Sequence, residues 1–211
     1  MKKIAETRYK NLVIQVFHGN ITDLTVDAIV NPSNKYLKMD SGIALAIKKA
    51  AGKVVEDEAF NILKNYKNQS HLKDYGGFCP IGEAVITTAG NLKPNIKFII
   101  HTPIMNDLIE ESNRNRLLSA IRATMQRAYE LWWNLGLDKD SVEVKSIAFP
   151  AMGIESGGIT KKKSAKAIID GIINQSNTYF VNAPLNNIIL CDIDLEMVEE
   201  FKNGLKYFEE D

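Results

Sequence analysis

An α/β fold, a three-layer α/β/α sandwich with a mixed, largely parallel central sheet, is predicted by two features of this 211-residue sequence. From residue 27 onward, short β-prone runs alternate with longer segments of helical periodicity, a pattern typical of parallel strands covered by helices. The run Ala28-Ile29-Val30 is apolar throughout, as expected of a strand buried on both faces. No stretch rich in Pro, Ser or Gly divides the chain, so we expect one domain over residues 1–211.

The elements are predicted in order from the spacing of apolar residues. Residues 4–8 and 12–17 are β-prone runs that can pair as a hairpin. Further strands are predicted at 27–31, 84–88, 97–101, 144–149 and 188–191, and residues 71–81 are predicted as a loop. Helices are predicted at 41–51, 53–66, 113–135, 160–173 and 194–208. Gly52 is a natural stop for the first helix, and Asp194 is a suitable N-cap for the last.

Charge balance and cysteine count argue against several classes of protein. Lys plus Arg and Asp plus Glu number 26 each, which gives no electrostatic footprint for nucleic acid. The two cysteines and three histidines form no disulfide framework and show no zinc spacing, so we expect no metal and no cofactor. The N-terminus lacks the apolar run of a signal peptide, and no stretch reaches the roughly 18 apolar residues of a membrane span. We therefore expect a cytoplasmic protein without membrane contact.

Polar residues directly follow the buried strand at residues 27–31, where α/β folds bind ligands in the crevice beyond the carboxyl ends of the strands. Asn31 and Asn34 offer both hydrogen-bond donors and acceptors, which suits the hydroxyl groups of a ribose. The alternative is that Asn31-Pro32 only turns the chain, since both are common turn residues.

Two further segments have the composition of anion sites. Met39-Asp40-Ser41-Gly42-Ile43 begins a predicted helix, where free backbone N–H groups bind anions, although Ser41 or Asp40 can instead act as an ordinary N-cap. Residues 150–158 connect a strand to a helix and contain three glycines, which let the backbone approach a phosphate closely. A diphosphate bound between the two loops is an economical explanation of both.

These segments together resemble the macro domain family. The opening motif of that family is usually written Gly-Asp-Ile, then Val-Asp-Ala-Ile-Val-Asn-Ala-Ala-Asn. The similarity to the family runs in order from about residue 13 to residue 192. Gly19-Asn20-Ile21 and residues 26–34 match the opening motif, and residues 42–52, 82–92 and 99–102 match three further family stretches. The last match is Phe149-Pro150-Ala151-Met152-Gly153 followed by Gly157-Gly158-Ile159.

The resemblance implies binding of ADP-ribose, free or linked to a protein. In the family, the residue at the place of Asn20 holds the adenine amino group, and the residue at the place of Ile21 contacts adenine through backbone and apolar atoms. Asn34 would face the distal ribose, and the backbone of the two loops would cradle the diphosphate. The candidate ligand-binding residues are Asn20, Ile21, Asn31, Asn34, Ser41, Gly42, Ile43, Gly153, Ile154, Glu155, Ser156, Gly157 and Gly158.

Three departures from the family pattern bear on affinity. Asn20 replaces the usual Asp, so its hydrogen bond to an amino group lacks charge and is weaker by about 1 kcal/mol. Met39-Asp40-Ser41 stands where a run of glycines is usual, and Ile154-Glu155-Ser156 replaces a small residue, a glycine and an apolar residue. Asp40 and Glu155 therefore bring two carboxylates near a dianionic ligand, which costs affinity unless they point away, bind a cation or are protonated.

Three functions stay open at this point: a module that binds ADP-ribose, a hydrolase or phosphatase acting on ADP-ribose derivatives, and a relative that binds another ligand or none. A protein of the third kind can be held in a homo-oligomer. Ala44 stands where one hydrolase branch of the family carries an Asp, which favours binding. Hydrolysis would have to rely on a positioned water, the phosphate of the ligand and Asn34, the one catalytic candidate. We interpret His101, which lies in a strand, as a packed structural histidine.

Overall fold

A seven-stranded mixed sheet lies between two layers of helices in the computed structural model, which describes residues 1–65, 77–106, 113–135, 143–154, 158–179 and 184–206. The strands are β1 (Lys2–Tyr9), β2 (Leu12–His18), β3 (Val26–Asn34), β4 (Val85–Thr88), β5 (Ile96–Met105), β6 (Ser146–Phe149) and β7 (Asn187–Asp192). The helices are α1 (Gly42–Ala51), α2 (Val54–Asn65), α3 (Arg114–Leu135), α4 (Lys161–Tyr179) and α5 (Leu195–Leu205). No helix within these ranges is long and apolar enough to cross a membrane.

The strand order of the sheet is β1-β2-β7-β6-β3-β5-β4. Strands β2, β7, β6, β3 and β5 are parallel, whereas β1 and β4 pair antiparallel at the two edges. The predicted mixed, largely parallel sheet and the predicted hairpin are therefore confirmed. Parallel strands end at the same edge of the sheet, so the polar segments that follow β3, β6 and β7 are brought together there.

Apolar side chains cover both faces of the sheet, as the apolar run in β3 predicts. Ala28 and Val30 pack in the larger core cluster with residues of α3, α4 and α5, such as Phe201. Ile29 points to the opposite face and packs in a second cluster with residues of α1 and α2, such as Ile47. The alternation of side chains along a strand places these residues on opposite faces.

Two boundaries differ from the prediction in ways that matter for the site. β3 does not end at Asn31 but continues to Asn34, because Asn31, Pro32 and Ser33 extend its parallel ladder with β5. The alternative in which Asn31-Pro32 turns the chain is therefore wrong. β5 likewise does not end at residue 101 but continues to Met105, which brings Ile104 and Met105 to the same edge of the sheet.

Most other boundaries agree with the prediction within three residues, but α4 continues to Tyr179 instead of ending at residue 173. Gly52 ends α1 with a positive φ of 90°, and its N–H donates to Lys48 O at 2.8 Å. Asp194 caps α5, because its Oδ1 accepts from the N–H groups of Glu196 and Met197. The predicted loop at 71–81 lies outside the described residues up to residue 76, as does the predicted end of α5 beyond residue 206.

His101 is fully buried in β5 and joins a chain of polar side chains. Its Nδ1 accepts from Asn31 Nδ2 at 3.0 Å, and its Nε2 donates to Thr87 Oγ1 at 2.9 Å. Thr87 Oγ1 in turn donates to Thr88 O at 3.0 Å, which assigns the imidazole as neutral with its proton on Nε2. Burial lowers the pKa of His101 to about 3, so the residue is a packed structural histidine, as the sequence interpretation holds.

Replacing His101 with Gln should flatten the dependence of stability on pH below neutrality. The folded-state pKa of about 3 lies below the ordinary value of 6.5, so the unfolded chain binds the proton more tightly between these values. The stabilisation from the neutral imidazole is complete above about pH 6.5 and is lost as the pH falls toward about 3, by up to about 1.4 kcal/mol per pH unit. Urea unfolding measured from pH 7 to pH 4 should show this steeper loss in the wild type. A His18→Gln control should keep the wild-type slope, and equal slopes for His101→Gln and wild type would contradict the prediction.

Candidate functional site

A cavity of about 590 Å³ opens at the carboxyl ends of β3, β5, β6 and β7. It is the place at which the parallel sheet and the start of α1 meet. Its wall comprises Pro32, Ser33 and Asn34 of β3, Lys38, Ser41, Gly42, Ile43, Ala44 and Ala46 at α1, Ile104 and Met105 of β5, Pro150, Ala151, Gly153 and Ile154 after β6, Asp192, Ile193, Asp194 and Met197 around the start of α5, and Lys161 of α4.

Six of the predicted ligand-binding residues lie in this wall. They are Asn34, Ser41, Gly42, Ile43, Gly153 and Ile154. Four others are described but are not part of the wall, namely Asn20, Ile21, Asn31 and Gly158. The remaining three, Glu155, Ser156 and Gly157, lie outside the described residues.

The side-chain amide of Asn34 is held in one orientation. Asn34 is 5% exposed, and its Oδ1 accepts a hydrogen bond from Tyr36 N–H at 2.9 Å. Among the described residues, no group accepts from Asn34 Nδ2. The side chain therefore has its acceptor engaged by the protein and its donor available in the cavity wall.

Asn31 has a different environment although it is the same residue type three positions earlier. It is fully buried, and its Nδ2 is engaged by His101. The register of β3 against β5 shifts between Ser33 and Asn34, and of the two asparagines Asn34 alone lies in the cavity wall. Asn20 begins a short 3-10 helix and caps it, since its Oδ1 accepts from Thr22 N–H at 3.1 Å, and Ile21 is 2% exposed within the core.

The amino terminus of α1 faces the cavity with its backbone donors open. Ser41 occupies the N-cap position in an extended conformation, but its side chain makes no capping hydrogen bond. The first helical hydrogen bond runs from Leu45 N–H to Ser41 O at 3.0 Å, and the first turn of α1 contains no acidic residue. The N–H groups of residues 42–44 are thus available for an anion, and the helix dipole favours negative charge there. An ordinary N-cap formed by the Ser41 side chain, the alternative that the sequence allows, is wrong.

The loop after β6 is anchored from two sides. The buried Ser164 of α4 donates to Met152 O at 2.7 Å and accepts from Met152 N–H at 3.3 Å. Asp192 at the end of β7 accepts from Ala151 N–H at 3.2 Å. Farther along, Ile159 N–H donates to Gly153 O at 2.9 Å and joins the two ends of the glycine-containing segment. These contacts hold residues 151–154 in place at the cavity wall.

The charges of the wall are divided between its two ends. Lys38 is exposed near the start of α1 and has no ion-pair partner in the described part of the chain. At the other end, Lys161 lies 2.5 Å from Asp194 and 2.6 Å from Glu196, and the hydrogen bond to Asp194 raises the pKa of Lys161. Asp192 accepts from backbone N–H groups with both carboxylate oxygens. The carboxylates of this wall are therefore already engaged, whereas Lys38 is free to attract an anion.

Sequence reasoning missed Lys38, Lys161, Asp192 and Asp194 as cavity residues. Lysine and aspartate are common on any protein surface, so their identity carries no signal for a site. The position of Asp192 at the end of a parallel strand is the one indication that the pattern offers, because ligands bind beyond such ends.

Asp40, which we expected to repel an anionic ligand unless its carboxylate pointed away or bound a cation, is turned toward α1. Its carboxylate lies 3.3 Å from Lys48 Nζ, and the residue is not part of the cavity wall. Lys48 also contacts the buried Glu56 of α2 at 3.0 Å, and this hydrogen bond raises the pKa of Lys48. Glu56 Oε1 accepts from Met39 N–H at 2.8 Å as well, so the segment leading into α1 is tied to both helices.

Comparison with known proteins identifies the family. The family model described as the macro domain matches residues 30–168, and the chain belongs to this family. A protein of Aquifex aeolicus is 33% identical over 192 residues, which covers 91% of this chain and 97% of that protein. A protein of Thermotoga maritima is 34% identical over 203 residues, which covers 93% of this chain but only 29% of that protein.

Solved structures show the same fold. A variant of the Oceanobacillus iheyensis macrodomain with ADPR has a TM-score of 0.72 at 22% identity, covering 98% of this chain and 99% of that one. The Trypanosoma brucei macrodomain in complex with ADP-ribose has a TM-score of 0.68 at 17% identity, covering 91% of this chain and 68% of that one.

Replacing Glu56 with Gln should destabilise the protein by about 1–3 kcal/mol, because a buried carboxylate that accepts charged and backbone hydrogen bonds is lost. The amide can still accept from Met39 N–H, but its NH₂ group cannot pair with the Lys48 ammonium group. The matched control is Asp57→Asn on the same helix, where the carboxylate is half exposed and pairs with Lys53. That change should cost less than about 0.5 kcal/mol. Urea unfolding measures both values, and equal costs would refute the role given to Glu56.

Proposed function

We propose that this protein binds ADP-ribose or a related adenine nucleotide, free or attached to another protein, in the cavity at the carboxyl ends of the strands. The observation that carries the proposal is the uncapped amino terminus of α1 placed beside the free amide donor of Asn34 in one cavity wall. The volume of about 590 Å³ lies in the range of small-molecule sites. Macrodomains of the same fold with ADPR and with ADP-ribose add support by similarity.

The diphosphate belongs at the start of α1. Open backbone N–H groups and the positive end of a helix dipole form an anion site together. Lys38 adds a free positive charge, and the anchored loop at residues 151–154 lines the same cavity. Since Asp40 is paired with Lys48, its negative charge is partly neutralised and directed away from the ligand.

The sugar and the base belong at opposite ends of the diphosphate. Asn34 Nδ2 is a donor for a hydroxyl oxygen of the distal ribose. Asn20 lies beside the end of β7, since the adjacent Gly19 N–H donates to Asp192 O at 2.9 Å. The adenine end of the ligand is accordingly assigned to the side of Asp192 and Ile193, both of which line the cavity.

Binding is favoured over hydrolysis by the ionisable groups of the cavity. Ala44 lines the cavity at the position where a hydrolase branch of the family carries an Asp. The hydrogen bond from Lys161 lowers the pKa of Asp194 and makes it a weaker general base, and Asp192 holds two backbone N–H groups with its two carboxylate oxygens. Release of ADP-ribose from modified protein, followed over hours, would reverse this preference.

Calorimetric titration with ADP-ribose should give a dissociation constant in about the micromolar range, as for a small ligand with several hydrogen bonds. Asn34→Asp should weaken binding by about tenfold or more, because it keeps the acceptor for Tyr36 N–H but replaces the donor with a negative charge. Asn34→Ala should also weaken binding, with an additional loss of the local turn.

The control for these variants is Asn61→Ala, at an exposed asparagine on α2 outside the cavity wall. It should bind ADP-ribose as the wild type does. Absence of binding heat for the wild type at millimolar ligand, checked at two temperatures, would refute the proposed function while leaving the fold assignment intact.

Asn20→Asp should tighten adenine-containing ligands by about fivefold, the effect of adding charge to one hydrogen bond. Asn20 Oδ1 is engaged by Thr22 N–H, so the second atom of the amide is a donor that cannot accept from an amino group. A carboxylate keeps the cap and supplies a second oxygen. Titrations with AMP and ADP-ribose measure the gain, with ribose 5-phosphate as the ligand that lacks adenine. An equal gain for ribose 5-phosphate, or none for AMP, would rule out this placement of adenine.

A further inference from the structure

Ser33 has an unpaired hydroxyl group in the cavity wall. The residue is 5% exposed, and its Oγ makes no hydrogen bond within the described part of the structure. Buried hydroxyl groups are normally paired, and an unpaired one destabilises the protein that carries it. Ser33 is also part of the cavity wall, directly before Asn34.

The two unpaired oxygen atoms of β3 differ in one respect. Asn31 Oδ1 is unpaired as well, but Asn31 is fully buried and lies outside the cavity wall. Ser33 combines the missing partner with a place in the cavity wall, but its Oγ atom is buried and not itself exposed to the cavity. Contact with a ligand therefore requires rotation about χ1 to another staggered rotamer, which turns the hydroxyl group toward the cavity.

We propose that Ser33 is a specificity-determining residue that hydrogen-bonds a hydroxyl group of the terminal sugar, so that the cavity selects ADP-ribose over ADP; this inference rests on the proposed function. A hydroxyl group both donates and accepts, and the pair formed by Ser33 Oγ and Asn34 Nδ2 offers both a matching acceptor and donors. A diphosphate only accepts, and the open N–H groups of α1 and Lys38 already serve that chemistry.

Replacing Ser33 with Ala should have opposite effects on the stability of the free protein and on its affinity for ADP-ribose. Ser33→Ala removes an unpaired polar atom from the free protein, so its melting temperature should stay equal or rise. The same change removes a partner of the ligand, so the affinity for ADP-ribose should fall by about three- to tenfold, the effect of one neutral hydrogen bond. The affinity for ADP, which lacks the terminal sugar, should not change.

The experiment compares the wild type, Ser33→Ala, Ser33→Cys and Ser119→Ala by titration with ADP-ribose and with ADP, and by thermal unfolding without ligand. Ser33→Cys keeps a similar shape but has a weak donor, so it should resemble Ser33→Ala in binding. Ser119→Ala removes a hydroxyl group on α3 away from the cavity wall and should match the wild type.

Three other outcomes would overturn the proposed contact between Ser33 and the terminal sugar, and the measurements distinguish them. Equal losses for ADP and ADP-ribose would place the contact at the diphosphate instead of the sugar. Unchanged affinity for ADP-ribose, or a lower melting temperature for Ser33→Ala, would make the hydroxyl group a structural one. A wild type that binds neither ligand would refute the proposed function, and the role of Ser33 would fail with it.

Discussion

β3 pairs with β5 along nearly its whole length, and this parallel ladder continues through Asn31, Pro32, Ser33 and Asn34. The backbone of these residues is held by the sheet, so their side chains are presented from a rigid strand rather than from a loop. The cavity depends on this continuation, because it fixes Ser33 and Asn34 at the edge where α1 begins. If the chain turned at Pro32, neither side chain would have a defined position against the start of α1.

The hydrogen bonds around the cavity engage acceptors and leave donors open. Asn34 Oδ1 and the carboxylate oxygens of Asp192 all accept from backbone N–H groups. By contrast, Asn34 Nδ2 and the first N–H groups of α1 have no acceptor within the described residues. A site of this kind favours ligands rich in oxygen acceptors, and these contacts fix the donors before the ligand arrives. The ion pair of Lys48 with Glu56 serves the same end by tying the approach to α1 to two helices.

The fold was predictable because apolar spacing decides which segments are strands and which are helices, and parallel strands then meet at one edge. Within the site, the helix start at residues 41–43 and the loop near Gly153 were predictable for the same reason. The different environments of Asn31, which is buried in the sheet, and Asn34, which lines the cavity, could not be predicted from the sequence. This difference depends on the strand continuing to residue 34, and Asn-Pro is more typical of a turn. The orientation of the Asp40 side chain could not be predicted from the sequence either. It depends on the ion pair with Lys48, two turns along α1, and Lys48 is in turn held by Glu56 of α2.

The stability of the protein and the chemistry of its cavity are separated in space. Large apolar side chains such as Phe149 and Phe201 are fully buried on one face of the sheet, and Ile47 and Ile99 are fully buried on the other. Open donors and the unpaired Ser33 hydroxyl group lie where the strands end, and a buried unpaired group such as this hydroxyl lowers the free energy of unfolding. A sheet covered by apolar residues on both faces can tolerate that loss. The donors that stay open at its carboxyl edge, Asn34 Nδ2 and the first N–H groups of α1, are therefore available to a ligand, because no contact within the described residues uses them.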